Sequence, residues 1–126
     1  IATGAVGATL TWGTQVFDTG SYTSGSNQRF TASSTTAGKH IVFASVRWDG
    51  NTTGDRTLYI AHNNDGVLGK LQFPTTDNVN NECEMTISAL ADLANGEYVW
   101  VVAAQQSGGA LNASSSNSQF SIIRIA

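Results

Sequence analysis

Lys39-His40-Ile41-Val42-Phe43-Ala44-Ser45-Val46-Arg47-Trp48 is dense in β-branched and aromatic residues, and it is apolar on both faces of the strand it predicts. Side chains alternate across a strand, so Ile41 and Phe43 fall on one side and Val42, Ala44 and Val46 on the other. An antiparallel strand usually sets one face on a core and the other in water. Residues 98–104 break that rule in the same way, with Tyr98, Trp100 and Val102 opposing Val99 and Val101. In residues 120–125, Phe120 and Ile122 oppose Ile123 and Ile125. Three such strands predict that something beyond one small core covers their second faces. Another subunit is the expected cover, and a loop or the N-terminal segment of the same chain is the alternative.

Residues 83–88 alternate cleanly, Cys83, Met85 and Ile87 against Glu84, Thr86 and Ser88, which predicts a half-buried strand with a fixed register. Leu58-Tyr59-Ile60, ahead of His62, begins another. No helix is predicted, since the longest helix-forming stretch, 88–95, is short and ends at the turn pair Asn95-Gly96. Loops are expected at 19–27, 33–38, 49–55, 74–81 and 107–118, with tight turns at Asp49-Gly50 and Asp65-Gly66. Short strands separated by Gly, Asn, Asp and Ser clusters predict an all-β sandwich or jelly roll. The 126 residues suffice for one core, and no repeat or linker divides them.

Composition excludes several functions. Only 12% of residues are charged, about half of the ~25% usual in soluble domains, so the surface is polar through Ser, Thr, Asn and Gly. Such a surface suits neutral, hydroxyl-rich ligands or neighbouring proteins. Six Lys and Arg, scattered along a chain of net charge −3, form no stripe for phosphates, so nucleic acid is not an expected partner. No run is long enough for a membrane helix, and membrane insertion is not expected. Residues 1–10 lack the cationic start and apolar length of a secretion signal, and the opening at Ile1 reads as a fragment or a processed product. The single Cys83 permits no internal disulfide and no multi-cysteine zinc site.

Candidate chemistry is sparse. A nucleophile needs a base within hydrogen-bond reach, and only His40, His62 and Cys83 are offered, none inside a motif. Each reads as structural, with Cys83 in phase with Met85 and Ile87. The segment 49–55, Asp-Gly-Asn-Thr-Thr-Gly-Asp, has oxygen side chains at spacings that suggest part of a calcium loop, but Ile60 stands where the bidentate Glu would be. Asp18, Asp92, Glu84 and Glu97 are not paired across a groove as glycoside hydrolysis requires. Asn51-Thr52-Thr53 and Asn112-Ala113-Ser114 match the glycosylation acceptor pattern. Neither catalytic residues, nor a metal, nor a cofactor is predicted. Tyr22, Trp48 and Phe73 are the aromatic candidates for stacking on sugar rings, and Tyr22, Trp48, Asn51 and Asn112 form the expected ligand-contact loops.

With the strands placed, the order of features resembles the C1q and tumour-necrosis-factor-like jelly roll. Phe17-Asp18-Thr19-Gly20, Arg29-Phe30-Thr31-Ala32, Gly38-Lys39-His40-Ile41-Val42-Phe43, Asn64-Asp65-Gly66, Leu90-Ala91-Asp92-Leu93, Gly96-Glu97-Tyr98-Val99-Trp100-Val101 and Gln119-Phe120-Ser121-Ile122 carry the likeness. The stretch 12–22, the turn 48–54 and Gln106-Ser107-Gly108-Gly109-Ala110-Leu111-Asn112 look more like C1q-type domains of tailed-bacteriophage structural proteins. The resemblance implies a jelly-roll sandwich of about eight to ten antiparallel strands, assembled as a homotrimer. It implies a virion-surface role, as a capsid decoration or fibre knob held by capsid or tail proteins and touching host-surface carbohydrate. A secreted C1q-like ligand or lectin-type module is the alternative. Ile41, Phe43, Val99, Val101, Phe120 and Ile122 are the candidate trimer contacts, and residues 1–10 a candidate attachment segment.

Overall fold

The computed structural model describes residues 1, 3–13, 18–23, 28–74 and 83–126. They form β1 (Gly4–Thr9), β2 (Arg29–Thr31), β3 (Gly38–Trp48), β4 (Asp55–His62), β5 (Gly66–Pro74), β6 (Cys83–Leu93), β7 (Tyr98–Gln105) and β8 (Ala113–Arg124). Sheet A holds five strands in the order β1-β7-β4-β5, with β2 also paired to β7; sheet B holds three, β6-β3-β8. The strand pairs are antiparallel, and one isolated parallel bridge joins Thr3 to Gln105. The domain is thus an all-β, two-sheet sandwich.

The hydrophobic alternation sets which faces meet. Val42, Ala44, Val46 and Trp48 of β3 point inward beside Met85, Ile87, Ala91 and Leu93 of β6. From sheet A, Leu58 and Ile60 of β4 and Val99, Val101 and Ala103 of β7 complete the same core. Burial of each large aliphatic side chain contributes roughly 1.5–3 kcal/mol. A one-residue slip of β3 against β6 would turn Val42, Ala44, Val46 and Trp48 to water, and the pairing runs without a shift from Gly38↔Leu93 to Trp48↔Cys83.

Two glycines shape the sandwich. Gly66, at φ 77°, closes the β4–β5 hairpin where the Asp65-Gly66 pair predicts a turn. Gly69 leaves the inner side of β5 bare, and a Cβ there would sit 3.5 Å from the Ala89 Cβ and the Ser88 carbonyl oxygen of β6. At the opposite edge, Phe30 of β2 packs on Phe120 of β8 (ring centroids 4.2 Å apart), and Trp12 and Tyr22 extend the cluster.

Several expectations are corrected. The strand expected over 83–88 runs on to Leu93, because Ala91 and Leu93 keep the inward phase of Met85 and Ile87. The loop expected over 107–118 ends early, since β8 starts at Ala113. Apart from these corrections, β1 lies at the edge of sheet A: Gly4 pairs with Gln105 and Thr9 with Val102, and the Leu10 N–H donates to the Val101 carbonyl at 3.0 Å. The Gln105 side-chain amide, fully buried, donates to the Ile1 carbonyl at 2.8 Å and ties this segment down. The 74–81 loop beyond Pro74, residues 24–27 of the 19–27 loop, and residues 14–17 of the C1q-like pattern lie outside the described residues.

Candidate functional site

The groups that sequence offered for chemistry serve the architecture. His40 is fully buried; its Nδ1 donates to the Gly38 carbonyl at 2.8 Å, which leaves Nε2 to accept the Tyr22 hydroxyl at 3.1 Å. At the end of β4, His62 Nδ1 accepts the N–H groups of Asn64 and Asp65, both at 3.0 Å. The His62 proton therefore sits on Nε2, which lies 3.3 Å from Glu97 Oε2. N–H donation from Ala94 and the Asn64 amide, helped by His62, holds the Glu97 carboxyl below the usual range against the opposing effect of burial. Burial pushes the Cys83 thiol up, with nearby Arg56 opposing, so the thiolate a nucleophile needs is disfavoured.

The calcium-like turn is occupied by a side chain of the protein. Arg56 is fully buried, and its Nη1 donates to the carbonyls of Thr53 (3.0 Å) and Asp55 (3.2 Å) while Nη2 donates to that of Asn51 (3.2 Å). The guanidinium carbon lies 5.9 Å from the centre of a Trp48 ring. Oxygens that sequence could assign to a cation are thus turned onto a guanidinium. Burial lowers the Arg56 pKa, partly offset by Cys83 and Asp55. Among the described residues, no three His, Cys, Asp or Glu side chains gather as a metal site.

The expected ligand contacts do not come together. Trp48 is fully buried and Tyr22 nearly so, the first on the inward phase of β3 and the second bonded to His40, so neither ring is offered to a ligand. Asn51 spends its side-chain oxygen on the Thr53 N–H at 2.8 Å, and Asn112 is exposed with its carbonyl accepting the Asp49 N–H at 3.0 Å. The Phe73 side chain lies outside the described residues. The candidate trimer contacts also separate. Val99 and Val101 are fully buried in the core, and Phe120 and Ile122 pack against it, whereas Ile41 and Phe43 face outward from sheet B.

That outward side of sheet B is the first of two distinctive surfaces. Ile41 pairs with Leu90 on one neighbour and Ile123 on the other, forming an apolar row across all three strands. Leu90 is 70% exposed, Ile123 54% and Phe43 37%. The exposed Lys39–Asp92 pair, 3.4 Å apart, borders the row on one side. Ser88, Ser121, Ser45 and Thr86 lie on the other. An apolar band with polar borders is the composition of an interface. Leu90 was not among the contacts expected from sequence; its signal was a large apolar side chain in phase with Glu84, Thr86 and Ser88 on a wet face.

The second surface is the outer side of sheet A, where Tyr98 and Trp100 of β7 and Tyr59 of β4 are half-buried. The Tyr98 and Trp100 rings are 5.5 Å apart, and the Arg29 guanidinium lies 4.1 Å over Tyr98. Val102 and Ala104, on the same phase, are buried within the chain itself. Gly7 of β1 comes so close to Val102 that a Cβ there would meet the Val102 methyl.

A third feature is a shallow cleft of about 400 Å³ lined by Thr19, Ser21, Thr31, Ser33, Thr35 and Thr36. The Ser33 hydroxyl is hydrogen-bonded to those of Thr35 and Thr36, each at 3.0 Å. Nearby, burial raises the Asp18 pKa, but hydrogen bonds from Thr23, Tyr22 and Ser21 outweigh it and leave the carboxyl below its ordinary value.

No family model matches the chain. No curated protein matches it either. Among solved structures, the chain is similar to one described as a family 35 carbohydrate binding module from an environmental isolate, with 17% identity, a TM-score of 0.40, and 97% of this chain and 90% of that chain covered.

Proposed function

We propose that the domain is a non-catalytic binding module whose copies assemble through the outer face of sheet B, as a homotrimer. The observation that carries this is the Leu90–Ile41–Ile123 row with Phe43 beside it, apolar side chains left in water at the middle of a sheet. Water is an unfavourable neighbour for such a band, and a sister chain presenting the same band is a fitting cover. Strand orders β6-β3-β8 and β2-β7-β4-β5 support the jelly-roll reading, in which the chain passes repeatedly between sheets. The same arrangement serves a secreted C1q-like or lectin-type module and a knob displayed on a virion by capsid or tail proteins. In each, one face joins sister chains and another remains free for a ligand.

Sedimentation equilibrium tests the assembly. The expected mass is about three times the 13.2 kDa of one chain, and Leu90→Ser with Ile123→Ser should give a folded monomer. A wild-type protein monomeric at tens of micromolar would overturn the reading, and a dimer would overturn the threefold arrangement. Presence of the chain in purified particles would select the virion setting.

A further inference from the structure

We propose that the outer face of sheet A is a saccharide-binding surface for glycans bearing carboxylates, with Trp100, Tyr98 and Tyr59 supplying the stacking rings and Arg29 and Lys70 the charge. The inference builds on the reading of the domain as a binding module but does not need its copies to assemble. Pairing places the residues: Arg29 is opposite Trp100, Ala61 lies opposite Trp100 on the other side, and Tyr59 is opposite both Val102 and Lys70. Four strands thus contribute to one continuous surface.

Ring stacking and charge together select the ligand. Pyranose rings have flat, weakly apolar C–H faces and hydroxyl edges, which suit a half-exposed aromatic ring set in a polar surround. Ala61, Val102 and Ala104 of the same face are buried, so the half-exposed rings are its apolar contact groups. Charge then decides between neutral and acidic sugars. Arg29 and Lys70 are both exposed on this face, although the chain as a whole is net negative. The strand carboxylate on the same phase of β4 is Asp55, at its far end, which already accepts the Gln72 amide at 3.1 Å. A guanidinium held over Tyr98 is oriented in advance, and a planar guanidinium can grip a carboxylate through two hydrogen bonds.

The test is binding of the folded protein to a saccharide array, followed by titration with tetragalacturonate and with neutral cellotetraose. Binding of acidic saccharides is expected, at least tenfold tighter than neutral ones and weakening with added salt. Trp100→Ala should abolish it. Arg29→Gln and Lys70→Gln, at exposed positions that leave the core intact, should each lower acidic-sugar affinity about tenfold without changing neutral-sugar affinity. Sedimentation of these variants should match the wild type, which separates this proposal from the assembly of sheet B. No binding to any saccharide on the array overturns it, as does binding that survives Trp100→Ala. Equal affinity for acidic and neutral sugars, insensitive to Arg29→Gln, overturns the assignment of the acidic class.

Discussion

Arg56→Met removes the cation that gathers the 51–55 turn while keeping an unbranched side chain against Trp48. Three carbonyls lose a charged donor, and each such bond is worth about 1.5–3 kcal/mol. Not all of that is lost. Thr53 is exposed and its carbonyl rehydrates, so the cost falls on the half-buried Asn51 and Asp55, at about 3 kcal/mol. Against it stands relief from burying a guanidinium, on the order of 1 kcal/mol once an apolar stem replaces it. The net loss is about 2 kcal/mol. With an unfolding entropy of about 0.26 kcal/mol/K for a chain of this length, the midpoint falls by about 8 °C. Differential scanning calorimetry of wild type, Arg56→Met and Arg56→Lys measures it, with Lys expected in between because one ammonium cannot span the three carbonyls in the geometry of a planar fork. A Met variant melting at or above the wild-type midpoint would refute the argument and show that desolvation of Arg56 outweighs its bonds.

Gly54 has φ 73°, and a Cβ would strike the Gln106 carbonyl oxygen, so Gly54→Ala should cost at least about 2 kcal/mol in urea unfolding; an unchanged midpoint would contradict the packing of that turn on β7. The Asp18 and Glu97 carboxyls titrate below their unfolded values of about 3.9 and 4.3. Their contribution is therefore present above those values and lost as pH falls through the lower folded ones. Thermal melts should drop below about pH 4, and Asp18→Asn with Glu97→Gln should flatten that fall; an equally steep fall in the double variant would remove the assignment. Calorimetric titration with calcium should give no saturable heat at the 49–55 turn, because Arg56 already holds its carbonyls; stoichiometric binding lost in Asp55→Asn would overturn this.

Alternation along the chain located the strands that line the core, β3, β4, β7, β8 and the first half of β6. Alternation at period two is local, so Met85 and Ile87 against Glu84 and Thr86 identify a strand and its inward face without knowledge of any neighbour. The same logic placed Val42, Ala44 and Val46 together, opposed Ile123 to Ile122, and put a turn at Asp65-Gly66. What periodicity cannot specify is which strand lies beside which, and hence what covers a second apolar face. For β7 the cover of Val102 and Ala104 lies within the chain, where β1 is drawn close at Gly7, while for β3 the Ile41 row stays in water. Only the sheet pairing put Arg29 beside Trp100 and turned Arg56 onto the turn that resembled a calcium loop. Burial and juxtaposition are properties of contacts between residues distant along the chain, and those contacts are chosen by the packing of two sheets together.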